Sequence, residues 1–197
     1  MKNLNKFLIK VGILLLLISV PISSQSINED KLKVESGKML FTLIKTMAGS
    51  ESTMSGIAND LSGEVDMKAK TFDFNMKINL TAFALGGSFK FANDRMHETY
   101  LESSKYSSAN FKGTIISYDP SNGNAKVKGK MTIHGVTKNN VEMDGVVTKS
   151  DSGQGYLLTS SFKVNLNDYK IKVPDIKLAK VSETVSLKIK LELRSMK

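Results

Sequence analysis

The chain has no cysteine and no tryptophan, and only three prolines and two histidines in 197 residues. Without cysteine there is no disulfide framework and no thiolate to act as nucleophile or metal ligand, so the fold must stand on a hydrophobic core. His97 and His134 fall in different predicted elements, so the three or four ligands of a zinc site are not assembled and no metal is expected. Also missing are the serine elbow G-x-S-x-G, the phosphate loop G-x-x-x-x-G-K-[ST] and the dinucleotide fingerprint G-x-G-x-x-G. "DPSNGN", Asp119 to Asn124, begins like a calcium loop, but its glycine comes one position early and no bidentate Glu follows. No pair of carboxylates is singled out for glycoside hydrolysis. The expectation is a protein that is not an enzyme and carries no cofactor. A lipid-directed enzyme with His97 or His134 as base is the catalytic alternative.

Long hydrophobic runs are nearly absent too. The exception is Val11 to Val20, ten residues behind Lys2, Lys6 and Lys10 and followed by Pro21 and small serines. This is the layout of a secretory signal peptide, residues 1–24, cleaved near Ser24, with residues 25–197 as one domain. The run is shorter than the roughly 20 residues of a membrane span. No cysteine at the junction means no lipoprotein acceptor. Losing three lysines reduces the formal net charge from +9 to +6. The remaining charges are mixed along the chain, which points away from nucleic acid and mildly toward anionic surfaces. The expected location is periplasmic or secreted.

What the chain has in abundance is period-two alternation. In "VSLKIKLEL", Val185, Leu187, Ile189, Leu191 and Leu193 alternate with Ser186, Lys188, Lys190 and Glu192, the pattern of a half-buried antiparallel strand. "YLLTSSFKVNL" repeats it with Tyr156, Leu158, Phe162, Val164 and Leu166. In "EVDMKAKTFDFNMKINL" the apolar set moves from Val65, Met67 and Ala69 to Phe72, Phe74, Met76, Ile78 and Leu80, which predicts a long strand with a bulge near Lys70 and Thr71. Further strands are expected at 39–46, 111–118, 125–133 and 141–149, with hairpin turns at "DPSNGN" and "SDSGQG". "ANDRMHETYLESSKY" lacks alternation and predicts a short helix over about 95–103. Residues 47–63, rich in Gly, Ser, Thr and Asn, read as loop or irregular crossover.

These elements predict an all-β fold, an antiparallel up-and-down barrel of about eight strands with one short helix. Such a barrel is either plugged by its own side chains or able to hold one small ligand, and periodicity does not choose between them. Strand faces nominate Phe72, Phe74, Met76, Met131, Ile133, Val141, Met143, Leu158, Phe162, Leu187, Ile189 and Leu191 as the inward apolar lining. The methionine content suits a pocket for a long, bending chain, and equally suits ordinary gap-filling.

At "GKMTIHGVTKNNVEMDG", Gly129 to Gly145, the sequence resembles the YceI-like family, whose penultimate hairpins carry G-x-L-T-[LI]-H-G-V-T-K-x-V-x-[LM]. "HETYLESSKYSSANFKGTI" is similar to the family's helix-to-strand passage, and "LNDYKIKVPDIKLAKVSETVSLKIKLEL" to its last loop and strand. The family's usual proline after the helix-block tyrosine is Ser107 here, and Arg95 stands near where a histidine is common. The resemblance implies a lipocalin-like barrel, exported, with an apolar tunnel for a polyisoprenoid, an isoprenoid quinone or a fatty acid derivative, in transient contact with membranes. The alternative is a secreted stress or surface-interaction protein with a side-chain-filled barrel. Arg95, His97 and His134 are the candidate rim contacts. His134 is expected on the outward or rim-facing side of its strand, before a turn over 135–140, hydrogen-bonding at the strand end.

Overall fold

The computed structural model describes residues 26–87, 89–151, 153–176 and 179–196; the segment read as a signal peptide lies outside the described residues. The strands are β1 (Lys31–Met47), β2 (Ser50–Ala58), β3 (Leu61–Asp66), β4 (Thr71–Lys77), β5 (Phe83–Leu85), β6 (Ser108–Tyr118), β7 (Asn124–Ile133), β8 (Val136–Lys149), β9 (Tyr156–Asn165), β10 (Asp175–Ile176), β11 (Ala179–Val181) and β12 (Thr184–Ser195). Neighbours run β1-β12-β9-β8-β7-β6-β4-β3, and Lys31 to Lys33 of β1 pair with Glu64 to Asp66 of β3. That last pairing closes an antiparallel eight-stranded barrel, as the alternation predicts, and leaves no free edge along the circuit.

Three expectations are corrected. The phase change after Val65 is a hairpin rather than a bulge: residues 67–70 turn, with Lys70 at φ 54°, and Val65 faces Phe72 across β3 and β4. Val65 and Phe72 therefore both point inward from separate strands, whereas Ala69 and Leu80 are exposed. Asp66 stabilises this turn by accepting from the Ala69 N–H at 2.6 Å, which holds its carboxyl below the ordinary value of 3.8. Residues 47–63 are not loop but β2 and β3. β2 is mostly solvent-exposed and meets a further strand, β5, only over Gly56 to Ala58, so it needs little apolar alternation. Gly56 is required there, because a Cβ would lie 2.1 Å from the Phe41 ring and 2.4 Å from the Ala84 carbonyl. Finally, the helix begins earlier than expected, as α1 (Lys90–Arg95) continued by a π-helical turn over Met96–Tyr100.

The two ends of the barrel are closed differently. Short turns at 67–70, 119–123 and 150–155 close one end, together with the N-terminal residues 26–30. There the Tyr156 hydroxyl donates to the Glu29 carboxylate. Asp119 ties its own turn by accepting from the Ser121 hydroxyl and N–H, which lowers its carboxyl pKa. At the opposite end lie the β1–β2 turn and two long connections, 78–107 with α1 and 166–183 with β10 and β11.

Candidate functional site

The barrel interior is hollow and apolar. A cavity of about 160 Å³ lies toward the end with the short turns and includes Phe74, Met131, Met143, Leu158, Phe162, Ile189 and Leu191 in its wall. A second, of about 500 Å³, lies toward the end with the long connections, between β1, β2, β5, α1 and the 166–174 segment. Met39, Met76, Ala109, Ile133 and Leu187 line both, so the two are adjoining chambers of one apolar interior, the tunnel, with these side chains at the waist between them.

Packing sets the difference in size. Around the small chamber, Phe72 stacks on Phe74 with ring centroids 5.6 Å apart and meets Phe111 at 4.8 Å, and Leu32, Leu191 and Leu193 are almost fully enclosed. Around the large chamber the buried cluster is smaller, built on Phe41, Leu85 and Val185, with Phe41 stacked on Phe83 at 4.3 Å. Phe91 of α1 lines that chamber while remaining 74% exposed, so this end opens to solvent.

Of the residues expected to face inward, Phe74, Met76, Met131, Ile133, Met143, Leu158, Phe162, Leu187, Ile189 and Leu191 line the tunnel. Phe72 and Val141 do not. Phe72 is packed into the aromatic cluster, and Val141, opposite Gly129, packs against the core from the side. Strand parity places a residue on a face, but whether that face meets a void or a neighbour depends on packing across the barrel.

The histidines are corrected more strongly. His134 is neither outward nor on an open rim but buried, 9% exposed, in a two-residue turn between Ile133 and Val136. His134 and Gly135 have φ of 50° and 71°, the backbone of a type I′ hairpin turn. Gly135 is needed for a second reason, since a Cβ there would lie 2.6 Å from the Tyr106 ring. The His134 Nδ1–H donates to the Tyr169 carbonyl at 3.2 Å, and Nε2 meets the Glu102 carboxylate at 2.9 Å. The imidazole therefore ties both long connections to the β7–β8 turn, a longer-range role than holding one hairpin in register. The turn expected over 135–140 is strand beyond Gly135, with the extra residue accommodated at Asn140, φ 59°. His97 is buried as well, at 3% exposure. Its Nε2–H donates to the Phe83 carbonyl at 2.6 Å, and Nδ1 pairs with the Ser103 hydroxyl at 3.1 Å. Neither histidine is in the tunnel wall. Arg95 is, with its guanidinium 5.7 Å from the centre of the Phe91 ring.

The strand reading missed most of the large chamber. Met39, Phe41, Leu43 and Lys45 alternate along β1 and all line it. The signal was in plain view: the cation Lys45 continues an apolar face where a core strand would carry another apolar residue. Among the described residues no group of three or more His, Cys, Asp or Glu could hold a metal ion, and no helix is long and apolar enough to cross a membrane.

The profile of the YceI-like domain matches residues 27–193. The chain belongs to the YceI-like family. The same barrel recurs in BcnA of Burkholderia cenocepacia, TM-score 0.62 and 18% identity over 80% of this chain and 96% of that one. It recurs again in a polyisoprenoid binding domain from Saccharophagus degradans implicated in plant cell wall breakdown, TM-score 0.64 and 13% identity over 84% and 98% of the two chains. At these identities the likeness is one of fold. UPF0312 proteins from three Vibrio cholerae serotype O1 strains are 36% identical over 77 residues. That match spans 38% of this chain and 40% of theirs.

Proposed function

We propose that this YceI-like protein is an exported, non-enzymatic carrier that holds one long-chain amphiphile in its tunnel, a polyisoprenoid, an isoprenoid quinone or a fatty acid derivative. The observation that carries the reading is the tunnel itself, two apolar chambers sharing the wall of Met39, Met76, Ala109, Ile133 and Leu187. The larger, at about 500 Å³, falls in the range of ordinary ligand sites. A hollow interior also counts against the alternative of a barrel filled by its own side chains. The Saccharophagus degradans domain of similar fold is described as polyisoprenoid binding, which supports the same ligand class.

Burial of a hydrocarbon tail is worth about 0.8 kcal/mol per CH₂, before ordering costs. A bilayer offers nearly the same, so a carrier of this kind exchanges ligand with membranes rather than depleting them. The open end suits that exchange, with Phe89 and Phe91 exposed beside the large chamber. This part of the proposal fails if lipid vesicles do not sediment the protein.

The test is recovery of the protein from its natural host, followed by native mass spectrometry and organic extraction. The expected result is a polypeptide starting near Gln25 with an apolar lipid bound at one per chain. A clean extract, together with no binding of long-chain alcohols by the purified protein, would sink the carrier reading.

A further inference from the structure

The large chamber is lined almost wholly by apolar side chains, and its charged exceptions are all of one sign. Lys45, Arg95, Lys172 and the phenol of Tyr100 are the only polar side chains among the described residues of its wall. Three are cations, and no carboxylate accompanies them. They arrive from three separate parts of the chain: Lys45 near the end of β1, Arg95 at the end of α1, and Lys172 in the connection after β9. Lys172 and Arg95 are exposed and Lys45 is half-buried, so each keeps its charge hydrated in the empty protein while its stem covers apolar wall. The opposite chamber has no cation in its wall; Asp144 borders it, but its side chain is 80% exposed and paired with Lys126 at 3.6 Å.

We infer that the tunnel selects single-tailed amphiphiles with an anionic head, a carboxylate or phosphate, seated at Lys45, Arg95 and Lys172 with the tail running through the waist toward Met131. This rests on the carrier reading and adds to it the head-group class and the direction of insertion. An anion here gains charge-assisted hydrogen bonds from ammonium and guanidinium donors at the edge of a low-dielectric chamber, where they are stronger than in water. A neutral hydroxyl head accepts from the same donors but lacks the opposite charge that strengthens the bond. An anion inserted the other way would meet no cation in the wall of the small chamber. The charges suit a range of anions, because lysines act as mobile point charges and Arg95 supplies the planar fork.

The experiment compares matched ligands that differ only in the head: hexadecanoate with hexadecanol, and farnesyl phosphate with farnesol. Binding is measured by calorimetry at low salt on the full chain without its signal segment. Wild-type protein is expected to prefer the anion by about tenfold or more in at least one pair, and the pair that shows it distinguishes carboxylate from phosphate. The preference should shrink as salt rises. The triple variant Lys45→Gln, Arg95→Gln, Lys172→Gln is expected to bind the anion no better than wild type binds the alcohol. A control with Lys38→Gln, Lys163→Gln and Lys188→Gln removes the same charge from exposed positions outside the tunnel wall and should keep the preference. Thermal melting shows whether each variant is folded. Equal binding of anion and alcohol in both pairs, or loss of the preference in the control as well, overturns the inference and leaves the carrier reading standing. Failure to bind any of the four ligands overturns both.

Discussion

The two ends of the barrel are made from the same strands and do different work. At the short-turn end, each connection is a few residues long, and the interior is narrowed to about 160 Å³ by the Phe72, Phe74 and Phe111 cluster with Leu32, Leu191 and Leu193. At the other, two long connections hold the barrel open around about 500 Å³, and aromatic side chains reach solvent. Tight hairpins bring facing side chains closer together and leave the smaller void, about 160 Å³, whereas long loops packed over an opening leave larger gaps that only a ligand or water fills. Stability is therefore concentrated at one end and capacity at the other. The buried His134, bonded to the Tyr169 carbonyl and Glu102, keeps the open end from loosening altogether.

The largest expected effect is on stability. Leu193→Ala removes a side chain only 2% exposed that lines neither chamber and should cost about 3 kcal/mol in urea unfolding. Leu43→Ala, a half-buried position already facing the large chamber, should cost about 1 kcal/mol or less, since the void it enlarges exists beforehand. Equal costs would break the contrast between the ends.

A smaller effect is expected on binding. Ala109 lies at the waist and lines both chambers. Ala109→Leu should weaken hexadecanol binding by about tenfold, close to 1.4 kcal/mol, while an eight-carbon alcohol that fits the large chamber alone is little affected. Parallel losses for both alcohols would mean that the small chamber takes no part.

The smallest effect lies at alkaline pH. Burial raises the Tyr169 phenol above its ordinary value of 10.0, and burial with the hydrogen bond to Glu29 raises that of Tyr156. A phenol whose pKa is higher folded than unfolded contributes stability that is complete below the unfolded value and lost as pH climbs through the folded one. Stability from these groups should hold to about pH 10 and fall above it. Tyr156→Phe should flatten this alkaline limb at the narrow end, and Tyr169→Phe at the open end. The variant with the larger change shows which end yields first, and no change in either would remove the phenols from the account.

Much of the barrel was legible because alternation reports which face of a strand is buried. Val185 to Leu193 shows it without interruption and Tyr156 to Val164 with one break, at Ser160, and the sequences at 119–124 and 150–155 carry the expected Asn, Asp and Gly. β2 was not legible, since an exposed strand paired for most of its length with β1 alone needs no apolar face, and its serines and Gly56 read as loop. The 67–70 turn was missed because a four-residue hairpin and a bulge shift the apolar phase alike, and only the pairing of Val65 with Phe72 separates them. His134 was misplaced because counting strand parity past Ile133 assumes extended backbone, while a left-handed turn redirects the ring inward.

The sequence by itself determined the strand faces, the turn chemistry and the family, because each depends on neighbours a few residues apart. Only the tertiary structure decided that the interior is hollow, that Phe72 fills space while Phe74 lines it, and that Lys45, Arg95 and Lys172 meet at one chamber. Those outcomes depend on how residues far apart in the chain pack across the barrel, which no local pattern encodes.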